Sequence, residues 1–163
     1  MSEVRTARLA FDRVTQEDAA FVLELLNDPG WLANIGDRGV HTLDEARSYI
    51  AERFSKGHWL IVRDVPTAEP LGLCGIVPAR LGLELPDLGY AILARYSGKG
   101  YATEAAGAVL AQALGPLGHA RLAAFTSLAN LASQRVLEKI GFRRLGVRRL
   151  SGAADDSAYF ETA

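Results

Sequence analysis

The stretch Leu93-Ala94-Arg95-Tyr96-Ser97-Gly98-Lys99-Gly100-Tyr101-Ala102-Thr103-Glu104 constrains this chain more than any other. It reads as a strand end, a tight glycine turn and the immediate start of a helix. Leu88 to Leu93 is an apolar strand segment, and Ala102, Ala105, Ala106, Val109, Leu110, Ala113 and Leu114 then mark one helical face. The first N–H groups of such a helix have no intrahelical acceptor. The helix dipole adds partial positive charge at the same end, so an anion is the natural occupant. Gly98 and Gly100 allow close approach of an anion and a positive φ where the turn needs one. Each dipole contribution is about 0.3–2 kcal/mol, so several converging amides between Ser97 and Thr103 are needed to cradle two linked phosphates.

Two common phosphate loops fail on their residues. A nucleotide P-loop ends in Lys followed by Ser or Thr, whose hydroxyl meets Mg²⁺. Here Lys99 is followed by Gly100. A dinucleotide fingerprint needs a third glycine three residues after the second, early in a parallel βαβ unit. Thr103 occupies that position, and the segment comes late in the chain.

The remaining pattern is that of one domain over residues 1–163. Arg8 to Val14 alternates as a first strand. Thr15-Gln16-Glu17-Asp18 signals a helix start, the helix runs to about Asn27, and Asp28-Pro29-Gly30 ends it. A loop carrying Trp31, Ile35 and Val40 follows. Thr42 and Glu45 match a reciprocal capping box ahead of Leu43, Ala46, Ile50 and Phe54 at helical spacing. Trp59 to Arg63, Leu71 to Val77 and Leu88 to Leu93 are strands, with a turn at Pro66 to Pro70 and a punctuated connection at Pro78 to Pro86. After the helix from Tyr101, Gly115-Pro116 is a stop and Arg121 to Thr126 a strand. Asn130 caps a further helix, with Gly141 at its C-terminal left-handed position. Phe142 to Leu150 and Ala158 to Thr162 close the chain. This order predicts a mixed sheet with helices on both sides, an α/β or α+β layer architecture.

Charge and composition exclude several functions. The formal net charge is -1 with acids and bases interspersed. A nucleic-acid surface needs a clustered basic face, and Arg143, Arg144, Arg148 and Arg149 read as solvated strand positions. One cysteine, Cys74, permits neither a disulfide framework nor a thiolate metal site, and its apolar setting makes it a core residue rather than a nucleophile. His41, His58 and His119 are scattered, without metal-ligand spacing, so no metal is expected. Met1 to Arg13 has no apolar leader core, and no apolar run spans a bilayer. The expected location is cytoplasmic, with no nucleic-acid or membrane partner.

Arg95-Tyr96-Ser97-Gly98-Lys99-Gly100 matches R/Q-x-x-G-x-G/A, and Asn130-x-x-Ser133-x-x-Val136-Leu137-Glu138-Lys139-x-Gly141-Phe142 follows after one helix and one short strand. In this order the two segments resemble the pyrophosphate loop and second cofactor segment of the GNAT N-acetyltransferase superfamily. They are most similar to its RimJ/RimL-like branch of ribosomal-protein alanine acetyltransferases. The resemblance covers the whole chain and is specific from about Asp87 to Phe142. It implies an α/β (α+β) fold with a mixed, largely antiparallel central sheet of six to seven strands and helices on both faces. It also implies an acetyl-CoA-dependent enzyme that transfers acetyl directly to a primary amine, either a protein N-terminus or a small molecule, with a homodimer plausible.

The implied cofactor contacts are Ile92 and Leu93 as backbone donors to the carbonyl and pantetheine, then Arg95, Ser97, Gly98, Lys99, Gly100, Tyr101, Ala102 and Thr103. Asn130 is a pantetheine contact, and Ser133 hydrogen-bonds the departing sulfur. Asp87 is the candidate base, directly or through water, against the alternative of an exposed strand-start acid. For Ser133 the alternative is a plain first-turn hydroxyl. Tyr90, Tyr96 and Trp31 line the acceptor cleft or pack structurally. The chain departs from the family twice. Leu137 stands where many members carry a Tyr that protonates the thiolate, and Ser97 stands where the branch commonly has Trp. The first departure keeps open a non-catalytic acyl-CoA-binding module.

Overall fold

The computed structural model describes residues 4–79, 83–150 and 153–163. Eight strands form one sheet: β1 (Val4–Arg5), β2 (Leu9–Arg13), β3 (His58–Asp64), β4 (Pro70–Val77), β5 (Asp87–Ile92), β6 (Ala123–Ser127), β7 (Phe142–Arg148) and β8 (Ser157–Thr162). Their spatial order is β1-β2-β3-β4-β5-β6-β8-β7. All neighbours are antiparallel except β5 and β6. The mixed, largely antiparallel sheet is as expected, but it has eight strands instead of six to seven. The addition is β1, whose two residues are too few to show periodicity.

Among the described residues, five α-helices flank the sheet: α1 (Ala19–Leu26), α2 (Pro29–Asn34), α3 (Leu43–Glu52), α4 (Tyr101–Leu114) and α5 (Leu131–Lys139). Side chains alternate across a strand, and each face has its own core. Leu60, Val62, Cys74 and Leu88 pack with Ala105, Val109 and Leu137 from α4 and α5. Ile61, Leu73 and Leu93 pack with Val22, Leu25, Ala46 and Ile50 from α1 and α3. Burying each such Leu or Ile contributes about 1.5–3 kcal/mol, so the alternating pattern decides which face each helix covers.

Two local expectations change. Asp28-Pro29-Gly30 does not open a loop. Asp28 caps α2 by accepting from Gly30 N–H, and Pro29 takes the first helical position, where its missing N–H costs nothing. The Thr42 box is half formed. The Thr42 hydroxyl accepts from Glu45 N–H, but the Glu45 carboxylate takes the amide of His41 instead. Of the Pro78 to Pro86 connection, residues 80–82 lie outside the described residues.

The feature that positions the site is the contact of β5 with β6. It covers only Asp87 with Ala123 and Leu88 with Ala124. From Tyr90 to Ile92, β5 runs on against β4 while, among the described residues, its other edge has no strand beside it. A sheet that opens in this way leaves backbone donors and acceptors on both sides of the gap.

Candidate acetyl-CoA site

The gap leads to the glycine turn. A 3₁₀ turn over Ala94–Tyr96 follows β5, and Gly98 and Gly100 adopt φ of 75° and 82° before α4 begins. Both values lie in the left-handed region that a Cβ disfavours. Gly100 is the residue before the helix and supplies no side-chain cap. Among the described residues, the amides of Gly98, Lys99, Gly100, Tyr101, Ala102 and Thr103 have no acceptor, and the first paired amide is that of Glu104, to Gly100. A Cβ on Gly98 would meet nothing within 4 Å, so the space in front of the turn is open. These residues fit a pyrophosphate.

The sequence-predicted contacts take different places in the fold. The Ser97 amide and hydroxyl both bond to the Ala94 carbonyl, the hydroxyl at 2.7 Å. Ser97 closes the turn and is not one of the free amides. Arg95 reaches back to Glu24 on α1 and lies 5.0 Å from the centre of the Tyr96 ring. The Glu24 hydrogen bond holds its guanidinium above the usual range. Its side chain thus tethers the loop to α1. The Ala94 amide is likewise held by Asp28 at 3.1 Å.

Leu93 is a correction. Its N–H donates to Leu71, and its carbonyl accepts from Tyr96, so it offers no free donor. Bonded and unbonded pairs alternate along an antiparallel ladder. With Leu93 bonded to Leu71, the groups of Tyr90 and Ile92 face away from β4 toward the gap. The Ile92 amide is therefore open toward the gap, and the second open amide is that of Tyr90 rather than Leu93.

Across the gap, Asn130 caps α5 by accepting from Ser133 N–H at 3.2 Å. The Ser133 hydroxyl stands 2.7 Å from the Tyr90 hydroxyl, which also lies 3.0 Å from the Ser133 carbonyl. Burial, tempered by the Ser133 bond, pushes the Tyr90 phenol up to about 12, so it remains a donor at neutral pH. Sequence reasoning placed Tyr90 beside the loop but had no signal for this pairing, which spans 43 residues.

Asp87 is buried, at 3% exposure, which overturns the reading of an exposed acid. It opens β5 at odd parity to Tyr90, so the two side chains leave opposite faces of the sheet. Leu137 is fully buried among α4 and β-strand side chains and supplies no proton. Cys74 is also fully buried, and burial pushes its thiol far up, as suits a core residue. Trp31 packs in the core beneath α1 and α3.

Three of the four arginines in the basic stretch have partners within the fold. Arg144 bonds Gln134, Arg149 pairs with Asp156, and Arg148 lies over the Tyr159 ring. No described helix is long and apolar enough to cross a membrane.

The acetyltransferase (GNAT) domain family matches residues 8–143. The chain is 34% identical over 143 residues to Bacillus subtilis (strain 168) YkkB, covering 83% of this chain and 82% of the relative. It is 30% identical over 151 residues to the N-acetyltransferase YnaD of the same organism, covering 88% and 84%. A GNAT-family acetyltransferase structure from Bacillus anthracis superposes with a TM-score of 0.81 at 24% identity, over 97% of this chain and 96% of that one. The chain belongs to the GNAT acetyltransferase family, whose common chemistry is acetyl transfer from acetyl-CoA.

Proposed function

We propose that this chain is an N-acetyltransferase that moves acetyl from acetyl-CoA to a primary amine while both are bound. The observation that carries this reading is the continuity of two surfaces. The open amides from Gly98 to Thr103 run directly into the unpaired edge of β5, which faces Asn130 and Ser133. A pyrophosphate on the first places the pantetheine arm along the second.

The bound thioester supplies the activated acetyl group; the chain's residues bind, orient and handle protons. The amides of Tyr90 and Ile92 hold the arm, and one aimed at the carbonyl oxygen stabilises charge there. The Ser133 hydroxyl donates to the sulfur as it departs, with Tyr90 donating in turn to Ser133 Oγ. Asp87 accepts the amine proton from the opposite face, directly or through a water. Holding both reactants in register supplies much of the acceleration, with effective molarities of about 10⁵ M or more. An α-amine with a pKa of about 8 is partly neutral at pH 7, whereas a lysine amine at about 10.4 is rarely so. A peptide N-terminus or a small amine of low pKa therefore suits this site, and the RimJ/RimL resemblance favours the N-terminus.

Ser133→Ala tests the chemistry. Turnover, read as CoA release over a panel of amines and N-terminal peptides, is expected to fall by about 10²-fold, the scale of general acid–base assistance. The Kd for acetyl-CoA stays within a factor of about two, because the pyrophosphate amides are untouched. Unaltered turnover removes Ser133 from the reaction. The burial of Leu137 at the position of the family's tyrosine gives the rival reading, a non-catalytic acyl-CoA-binding module. Thermal stabilisation by CoA with no CoA release on any acceptor would establish the module.

A further inference from the structure

Glu104 poses an electrostatic problem for the site. It lies in the first turn of α4, within about 5 Å of helix rise of the open amides of Tyr101, Ala102 and Thr103. A bare carboxylate there opposes a pyrophosphate well within a Debye length of about 8–10 Å. The structure answers it from the other end of the chain. Arg8 Nε pairs with Glu104 Oε1 at 2.6 Å, and the Arg8 amide donates to Oε2 at 3.1 Å. The Thr6 hydroxyl also donates to Oε2. The same guanidinium donates through Nη1 to the Lys99 carbonyl at 3.0 Å and lies 4.4 Å from the Tyr101 ring centre. Its Nη2 is 3.4 Å from where a Gly100 Cβ would stand. Thr6 is itself fixed by the turn between β1 and β2, where its hydroxyl accepts from Leu9 N–H at 3.2 Å.

We propose that Arg8 is a positioning residue of the acetyl-CoA site. It masks the Glu104 charge and anchors the Lys99 carbonyl behind the loop, so that the amides from Gly98 to Thr103 face the pyrophosphate with no opposing carboxylate. This inference rests on the reading of that loop as the pyrophosphate site. Burial alone raises the affinity of Glu104 for a proton. The bonds from Thr6 and Arg8 outweigh it and hold the carboxyl below its usual range, so the group is charged whenever the loop is at work. Lys99 cannot substitute, because its ammonium is drawn over the Tyr96 ring, 5.9 Å from its centre.

Charge masking predicts a rescue that a purely structural clamp does not. CoA binding is measured by titration calorimetry for wild type, Arg8→Ala, Glu104→Gln and the double variant, with circular dichroism confirming the fold of each. Arg8→Ala is expected to weaken CoA by about tenfold or more, and the double variant to regain most of that loss. A clamp without charge masking leaves the double variant as weak as Arg8→Ala or weaker, and that result overturns the proposal. So does Arg8→Ala binding CoA as wild type does. Failure of the wild-type chain itself to bind CoA removes the pyrophosphate site and the inference with it. Where Arg8→Ala does not fold, Arg8→Gln, which keeps a donor for the Lys99 carbonyl but no charge, carries the same expectations.

Discussion

Gly98 combines a φ of 75° with empty space where a side chain would stand. The fold itself therefore does not need a glycine for room. The backbone angle costs a non-glycine residue about 1–2 kcal/mol, and the vacant volume is what a phosphate would fill. Gly98→Val is expected to remain folded by circular dichroism while its affinity for acetyl-CoA drops by more than about tenfold. Undiminished affinity would refute the loop assignment. At this scale the local geometry was legible: Gly98 and Gly100 take the positive φ expected of the turn, and Asn130 caps α5 through the Ser133 amide. The partners were not. Tyr90 meets Ser133 across 43 residues, and Arg8 meets Glu104 across 96. A faint signal did exist in the acidic Glu104 beside a turn proposed to bind an anion, a like-charge conflict that calls for a cation.

At the scale of elements, α2 shows how one set of residues supports two readings. Asp-Pro-Gly breaks a preceding helix, and Asp-Pro also makes a good N-cap and first helical residue. Tertiary contact decides between them. The Asp28 carboxylate caps α2 through Gly30 and also holds the Ala94 amide, linking the α1–α2 corner to the loop after β5. Asp28→Ala removes both. Chemical denaturation is expected to show a loss of about 1 kcal/mol, the usual worth of a cap, and titration a weaker acetyl-CoA complex. Equal stability and affinity would mean that the corner and the loop are held elsewhere, for instance by Arg95 and Glu24.

For the molecule as a whole, the two faces of the sheet carry different tasks. The α4–α5 face carries Tyr90 and Ser133, and Asp87 leaves the opposite face, which α1 and α3 cover. Titration reports on both ends of this arrangement. The folded state keeps Tyr90 and Tyr159 protonated up to about 12, Tyr90 chiefly through burial and Tyr159 through burial and its bond to Glu161. The unfolded chain ionises them near an ordinary value of about 10. Their contribution is therefore complete below about pH 10 and is lost as pH rises toward 12. Glu104 behaves oppositely. Its lowered carboxyl adds stability above the ordinary carboxylate range, lost as pH falls through its folded value. Urea melts across pH should show Tyr90→Phe flattening the alkaline limb and Glu104→Gln the acid limb. Limbs unmoved by these substitutions would assign the pH dependence to other groups.

By itself the sequence determined most of the elements, though not β1 or α2, and the glycine turn ahead of α4, because hydrophobic period, caps and glycine turns act over a few residues. It also determined the family, through two motifs in fixed order. Only the tertiary structure decided how far β5 and β6 stay together, which backbone groups that leaves open, and that Asp87 is buried. It also decided which distant side chain neutralises Glu104. Those outcomes depend on contacts between residues far apart in the chain. Such contacts are selected by the packing of two cores against one sheet, and local pattern carries no record of them.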